Sequence, residues 1–132
     1  MTVQVRRDVL LAAKLFRGFG DPTRLAILEA LAEDGELRVA DLIERVGGSQ
    51  GNVSGHLACL KDCGLVRDRP EGRQVFYRIS DPVVVRTLRA SEDVLAISGE
   101  KISLCPNYRD SADRHRGAAA ATRQRVKQAR IK

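Results

Sequence analysis

Two of the chain's three cysteines lie four residues apart in the segment HLACLKDCGL, which spans residues 56–65. If this segment is helical, Cys59 and Cys63 share one helix face, with about 5–6 Å between their Cβ atoms. A disulfide requires about 3.8 Å between Cβ atoms, so this pair could not close without unwinding the helix. A metal ion held by two thiolates at about 2.3 Å fits the wider separation better. The spacing leaves metal binding and simple packing open, because free cysteines are commonly buried as small apolar residues.

The third cysteine, Cys105, could complete a metal site, or it could pair with Cys59 or Cys63 in a redox switch. An odd number of cysteines argues against a disulfide framework and fits a reducing cytoplasm, so the thiols are expected to be available. Soft thiolates favour Cd(II), Pb(II) or Hg(II), with Zn(II) and Cu(I) as competitors. Three sulfur ligands suit Pb(II) in particular, whereas Cd(II) would recruit a water molecule or a carboxylate as well.

His56 adds a possible nitrogen ligand, because it shares a helix stripe with Cys59 and Cys63 at positions i, i+3 and i+7. A metal site made of two cysteines and one histidine from a single helix is therefore geometrically possible. His56 could instead face DNA or the neighbouring helix. The sequence contains no nucleophile–base pair at motif spacing and no phosphate-binding glycine loop. No enzymatic activity is predicted.

The apolar pattern predicts a mainly α-helical fold with one small β-hairpin. The predicted elements are a largely buried helix over residues 9–20, helices over 22–34, 39–46 and 50–63, a hairpin over 65–80 with its turn at Glu71, Gly72 and Arg73, and an apolar helix from 82 to about 98. Asp21 and Pro22 predict the start of the second helix, and Ser49 predicts the start of the fourth. Two helices joined by a glycine turn and followed by a hairpin indicate a winged helix-turn-helix.

The fourth predicted helix has a polar first half, as expected of a recognition helix that reads base edges in double-stranded DNA. The predicted base contacts are Gln50, Asn52, Ser54 and His56, and the predicted phosphate contacts are Arg69 and Arg73 on the hairpin. Gly51 and Gly55 each cost about 1 kcal/mol of helix propensity. This cost indicates that the helix lies close to another group at these positions, either a bound molecule or a neighbouring helix.

Charge divides the chain into a neutral body and a basic tail. The net charge of +6 arises entirely from residues 109–132, which hold eight Lys or Arg and two Asp or Glu. Residues 1–108 are predicted to form the DNA-binding and metal-sensing domain, and 109–132 a basic, flexible tail. No run of about 18 apolar residues and no secretory signal are visible, so a cytoplasmic protein without membrane contact is expected.

The apolar helices predicted over 9–20 and 82–98 flank the winged helix, one at each end. A domain of this size cannot easily bury both alone, so they predict the interface of a symmetric homodimer.

Four motifs resemble, in order, the ArsR/SmtB family of dimeric winged-helix repressors: DPTRLAIL, ELRVADL, GNVSGHLACLKDCGLV and EGRQVFYRI. The resemblance covers about residues 8–98. It implies that the metal-free protein binds an operator and that the metal-bound protein is released. Within the family, the three cysteines are similar to those of the CmtR-type cadmium and lead sensors. This likeness implies a site made of Cys59 and Cys63 from the recognition helix and Cys105 from the other subunit.

Two other metal sites of the family lack their ligands in this sequence. Arg38 and Ala40 stand where the arsenic-sensing members carry a cysteine cluster, and the C-terminal helix has no histidine for the zinc site of other members. The sequence therefore predicts a repressor that responds to Cd(II) or Pb(II), with Hg(II) or Zn(II) as further candidates. Two alternatives stay open: a repressor controlled by thiol oxidation through Cys105, and a metal-buffering thiol protein without DNA function.

Overall fold

The computed structural model describes residues 4–101, 103 and 104 of the 132-residue chain. Within these residues the elements are α1 (Arg7–Phe19), α2 (Pro22–Asp34), β1 (Leu37–Arg38), α3 (Val39–Val46), α4 (Gln50–Asp62), β2 (Val66–Glu71), β3 (Gln74–Ile79) and α5 (Pro82–Ile97). This order confirms the predicted mainly helical winged helix-turn-helix. Cys105 and the predicted tail lie outside the described residues.

The predicted helix starts are confirmed by side chains that cap them. The Asp21 carboxylate accepts the backbone N–H of Arg24 at 3.0 Å, and Pro22 occupies the first position of α2. The Ser49 hydroxyl accepts the backbone N–H of Asn52 at 3.1 Å at the start of α4. Each cap satisfies a backbone donor that has no partner within its own helix.

The sheet has three antiparallel strands in the order β1-β3-β2 within the described residues. β2 and β3 form the wing, which turns at Gly72, whose φ of +63° favours glycine. The predicted turn residue Glu71 is instead the last residue of β2, where it pairs with Gln74. Strand β1 was not predicted, because two residues are too few to show an alternating pattern.

The core lies among α2, α3, α4 and α5 and the inner end of the wing. The fully buried side chains include Leu28 and Leu31 of α2, Leu42 of α3, and Leu57 and Leu60 of α4. α3 and α4 are both packed against α2. Their polar side chains lie on the sides of these helices that face away from the core.

The prediction that the first helix is largely buried is wrong for the single chain. α1 begins at Arg7, two residues before the predicted start, and Gly18 is its one buried residue. Large apolar side chains on both terminal helices are exposed, namely Val9, Leu10, Leu11 and Phe16 of α1 and Val94, Leu95 and Ile97 of α5. Nothing in the described part of one chain covers them. Among the described residues, no helix combines the length and apolar character needed to span a membrane.

The end of α1 is held in place by Arg24 of α2. The guanidinium of Arg24 donates to the backbone oxygen of Arg17 at 2.7 Å and to that of Gly18 at 3.0 Å. These oxygens lie in the last turn of α1, where a cation is favourable for the helix dipole. The contact fixes the position of α1 beside the C-terminal end of α4.

Candidate metal centre and nucleic-acid interface

The first half of α4 presents polar side chains away from the core. Gln50 and Asn52 are exposed and Ser54 is half-buried, while Val53 between them is fully buried. Three of the four predicted base contacts are therefore at least partly accessible to solvent. A helix with small amides and hydroxyls at its N-terminal end has the chemistry to bind base edges in the major groove.

Gly51 and Gly55 belong to this exposed part of α4 and leave open space around it. A Cβ atom built on either glycine would meet no atom within 4 Å among the described residues. The neighbouring helices of the chain therefore do not require these glycines. The open space is compatible with the other expectation drawn from their cost of about 1 kcal/mol each, which is close approach to a separate molecule.

His56, the fourth predicted base contact, lies against the N-terminal end of α2. Its Nδ1 atom is 3.8 Å from the Asp21 carboxylate and 3.5 Å from the guanidinium of Arg24. The backbone N–H of Arg24 lowers the pKa of Asp21 below its ordinary value, and the guanidinium of Arg24 acts in the same direction. To reach a base, His56 would have to leave these neighbours.

The wing carries the two predicted phosphate contacts in different settings. Arg69 is paired with Glu36 at 2.8 Å and with Glu71 at 3.0 Å, and its guanidinium lies 5.0 Å from the centre of the Phe76 ring. These hydrogen bonds raise the pKa of Arg69 above its ordinary value. Arg73, at the turn, is exposed and has no ion pair within the described part of the chain.

Two further arginines on the wing were not singled out by the sequence as contacts. Arg67 and Arg78 are exposed and stand directly opposite each other on β2 and β3. Like charges in this arrangement destabilise a hairpin. An anionic partner such as a phosphate backbone would relieve that repulsion.

The two thiols lie at the other end of α4, next to α1. Cys59 and Cys63 are free and half-buried. The Cys63 thiol donates a weak hydrogen bond to the backbone oxygen of Lys14 at an S···O distance of 3.7 Å. Burial raises the pKa of Cys63, and the neighbouring Cys59 thiol raises it further. A Lys14–Asp62 ion pair of 3.0 Å joins the same two helices.

The two cysteines do not form a complete metal site with other described residues. No group of three or more Cys, His, Asp or Glu side chains is arranged to hold a metal ion in residues 4–101, 103 and 104. The single-helix site of His56, Cys59 and Cys63 is therefore absent from the described structure. A site with three sulfur ligands would need a further cysteine, and Cys105 lies outside the described residues.

Gly18 provides the space that Cys63 occupies, and sequence reasoning missed it. A Cβ atom at this position would lie 3.1 Å from the Cys63 Sγ atom and 3.2 Å from Leu65 Cδ1. The only signal in the sequence was an isolated glycine within an apolar helix, which is often a site of close packing. The contact between Arg24 and His56 gave no local signal, because it joins residues 32 positions apart in the chain.

We expect Gly18→Ala to destabilise the fold by about 1 kcal/mol. Overpacking costs about 1–3 kcal/mol, and the gain in helix propensity of up to about 1 kcal/mol offsets part of it. Denaturant-induced unfolding of the reduced protein measures the difference. Gly55→Ala is the matched control, because its Cβ meets no atom and it should stabilise the chain by up to about 1 kcal/mol. Equal effects of the two substitutions would contradict the assigned contact.

The arrangement of α3, α4 and the wing defines a winged helix-turn-helix protein of the DNA-binding class. The sequence profile described as "Bacterial regulatory protein, arsR family" matches residues 21–68. The chain is 43% identical over 88 residues to the HTH-type transcriptional regulator CmtR of Mycobacterium tuberculosis (strain ATCC 25618 / H37Rv), covering 67% of this chain and 72% of that protein. The chain therefore belongs to the ArsR family of transcriptional regulators, and it is not an enzyme.

Two further similarities support this assignment. The probable mercury resistance operon repressor of Streptomyces lividans is 37% identical over 93 residues, which are 70% of this chain and 74% of that protein. The solution structure of a homodimeric winged helix-turn-helix DNA-binding domain from Mycobacterium bovis superposes with a TM-score of 0.62 at 29% identity. That superposition covers 76% of this chain and 94% of the other chain.

Proposed function

We propose that this protein is a homodimeric repressor that binds operator DNA in its metal-free form and is released by a thiophilic metal ion. The proposed effector is Cd(II) or Pb(II), with Hg(II) or Zn(II) as alternatives, and the proposed ligands are Cys59, Cys63 and Cys105. One observation carries the proposal: α4 begins with exposed polar side chains and ends with two free thiols, Cys59 in its last turn and Cys63 as its C-cap.

In this proposal, the first half of α4 enters the major groove and the wing contacts the backbone. Gln50, Asn52 and Ser54 read base edges, and the exposed Gly51 and Gly55 allow the helix to approach closely. Arg73 binds phosphate, and Arg69 does so only by exchanging its carboxylate partners. Phosphate contacts supply most of the affinity and make it dependent on salt, whereas base contacts supply specificity.

The donor set at the far end of α4 fits a soft metal ion. Thiolate sulfur favours Cd(II), Pb(II) and Hg(II) over Mg(II) or Ca(II). The name of the Streptomyces relative associates that protein with mercury resistance, and the likeness to the CmtR-type sensors favours cadmium or lead. The proposed site with three thiolates needs one more cysteine, and Cys105 is the one further cysteine in the chain.

The position of Cys63 would couple metal binding to the packing of α4 against α1. A Cys63 thiol donates to the Lys14 backbone oxygen, but a metal-bound thiolate has no proton to donate. Coordination would therefore remove one contact between α4 and α1 and add bonds to the metal. Coupling between metal and DNA requires only about 1–3 kcal/mol of difference in affinity between the two states.

The exposed apolar side chains of α1 and α5 support a homodimer. They form the largest group of exposed apolar residues in the described structure, and a second copy of the chain would remove them from water. The similar Mycobacterium bovis domain is homodimeric. A dimer would also bring two α4 helices to successive turns of an operator.

The proposal is tested by titrating Cd(II) and Pb(II) into reduced protein bound to operator DNA, with release followed by gel shift. We expect release by metal in the presence of a reductant that does not bind metal. Release that occurs on oxidation and is reversed by reductant alone would instead identify a thiol redox repressor. Tight metal binding without any specific DNA binding would identify a metal-buffering protein.

Asn52→Ala and Arg73→Ala should affect DNA binding in different ways. Asn52→Ala is expected to weaken operator binding by about 1–3 kcal/mol and to leave non-specific binding nearly unchanged. Arg73→Ala should weaken both operator binding and non-specific binding. It should also reduce the slope of log affinity against log salt concentration by about 1. Binding to operator and random duplexes at several salt concentrations measures both effects. Equal losses on the two duplexes for Asn52→Ala would exclude Asn52 from base reading.

A further inference from the structure

The outer end of the wing extends beyond the support of the third strand. β1 has only two residues, and its pair nearest to the wing turn joins Arg38 to Phe76 of β3. Past this pair, residues 70–75 continue as a ribbon of two strands and a turn, and all of them are exposed. We call them the outer wing. A two-stranded ribbon is marginally stable by itself, so Arg73 at its turn needs other contacts to hold a fixed position.

Arg69 lies at the boundary between the supported wing and the outer wing. Its Nε and Nη2 atoms donate to the two carboxylate oxygens of Glu36, at 3.1 Å and 2.8 Å. Glu36 lies between α2 and β1 and therefore belongs to the body of the domain. The remaining nitrogen, Nη1, donates to the carboxylate of Glu71 in the outer wing at 3.0 Å. One guanidinium thus joins the body of the domain to the outer wing.

The geometry of this network favours a fixed arrangement. The two hydrogen bonds to Glu36 form a bidentate pair, which restrains the plane of the guanidinium as well as its position. The guanidinium also lies 5.0 Å from the centre of the Phe76 ring, within the range of a cation–π contact. The hydrogen bond from Arg69 lowers the pKa of Glu36 below its ordinary value. Isolated surface ion pairs contribute little to stability, but bidentate pairs and linked charges are exceptions.

Binding of phosphate by Arg69 would disrupt this network. The guanidinium would have to leave Glu36 and Glu71, and both carboxylates would then stand unpaired beside the negative DNA backbone. Like charges brought together in this way oppose binding. Arg73 carries no such cost, because it is exposed and has no ion pair in the part of the chain that the structure describes.

We propose that Glu36 and Arg69 are positioning residues for DNA binding, because their ion pair fixes the outer wing to the body of the domain and holds Arg73 at the phosphate backbone. This inference rests on the proposed function, in which Arg73 binds phosphate. In this role, Arg69 keeps its carboxylate partners in the DNA complex. A wing that is fixed before binding loses less conformational entropy when the complex forms.

Glu36→Gln and Arg69→Lys test the proposal on a random-sequence DNA duplex, because phosphate contacts do not depend on sequence. Glu36→Gln removes the charge and keeps the size of the side chain, whereas Arg69→Lys keeps the charge and removes the planar fork. We expect each substitution to weaken binding by about 2- to 5-fold, the effect of a surface ion pair. Fluorescence anisotropy at several salt concentrations measures the affinity and its dependence on salt.

Glu44→Gln is the matched control, because it removes one negative charge from the exposed surface of α3. It should bind the duplex at least as tightly as the wild type, since fewer negative charges favour association with DNA. A loss equal to that of Glu36→Gln would overturn the proposal, because the effect would then not depend on Arg69.

The salt dependence distinguishes positioning from competition for Arg69. If Glu36 only competes with phosphate, Glu36→Gln should tighten binding. It should also steepen the slope of log affinity against log salt concentration by about 1, because Arg69 would contact one more phosphate. That result, or wild-type affinity of Arg69→Lys, would overturn the proposal.

A double-mutant cycle with Arg73 completes the test. In the Arg73→Ala background, Glu36→Gln should cause no further loss of affinity, and a further loss of equal size would contradict the positioning role. If Arg73→Ala alone binds the duplex like the wild type, the proposed phosphate contact is wrong and the positioning role fails with it. If Arg73→Ala loses affinity and Glu36→Gln does not, only the role of Glu36 is wrong.

Discussion

Cd(II) is expected to release the wild-type protein from operator DNA and to leave the Cys59→Ser and Cys63→Ser variants bound. A serine hydroxyl does not replace a thiolate as a ligand for a soft metal ion. Each substitution should abolish the sulfur–metal absorption of the complete site. It should also reduce Cd(II) affinity by more than about 100-fold, beyond the 10- to 100-fold typical of outer-shell partners.

Operator binding by the metal-free variants should stay close to that of the wild type. Both cysteines are at the end of α4 opposite to its exposed amides, and a serine hydroxyl at position 63 can still donate to the Lys14 backbone oxygen. His56→Ala is the control for the ligand assignment, because His56 lies beside Asp21 and Arg24. If His56→Ala removed the absorption band, the assignment of ligands to cysteine alone would fail.

A mixed dimer is expected to recover the metal binding that both of its parent homodimers lack. One protomer carries Cys59→Ser and Cys63→Ser and keeps Cys105, and the other keeps Cys59 and Cys63 and carries Cys105→Ser. Neither parent can place three thiolates at one site. If Cys105 acts across the dimer, the mixed dimer has one complete site and should bind tightly at half the normal stoichiometry.

The same experiment distinguishes a shared site from one formed within a single chain. If each chain builds its own site, the mixed dimer contains no complete site and should bind as weakly as its parents. That outcome would exclude the cross-subunit site while leaving the three-cysteine ligand set intact. Isothermal titration with Cd(II) measures both affinity and stoichiometry, and tagged protomers allow the mixed dimer to be purified from its parents.

Most of the fold could be predicted because its signals are local. The caps at Asp21 and Ser49 and the proline at the start of α2 act within a few residues of where they stand. The burial of α1 was predicted wrongly, because apolar residues do not indicate whether their own chain or a second copy covers them. Strand β1 was missed because its pairing with β3 depends on residues almost forty positions away.

The candidate site was predictable in its residue types and much less so in its contacts. The spacing of Cys59 and Cys63 predicts two thiols on one helix, and the structure places Cys59 in the last turn of α4 and Cys63 as its C-cap. The pairing of Arg69 with Glu36 joins residues 33 positions apart, so sequence showed only a basic wing.

The recognition helix has the geometry of a lever. α4 has 13 residues and is therefore about 20 Å long at a rise of 1.5 Å per residue. A tilt of only about 5° at the cysteine end would move its first turn by about 1.7 Å over that length. Hydrogen bonds to base edges tolerate a range of only about 0.5 Å in donor–acceptor distance. In the proposed mechanism, a metal ion bound at one end of this helix therefore has to turn it by only a few degrees to break the proposed base contacts at the other.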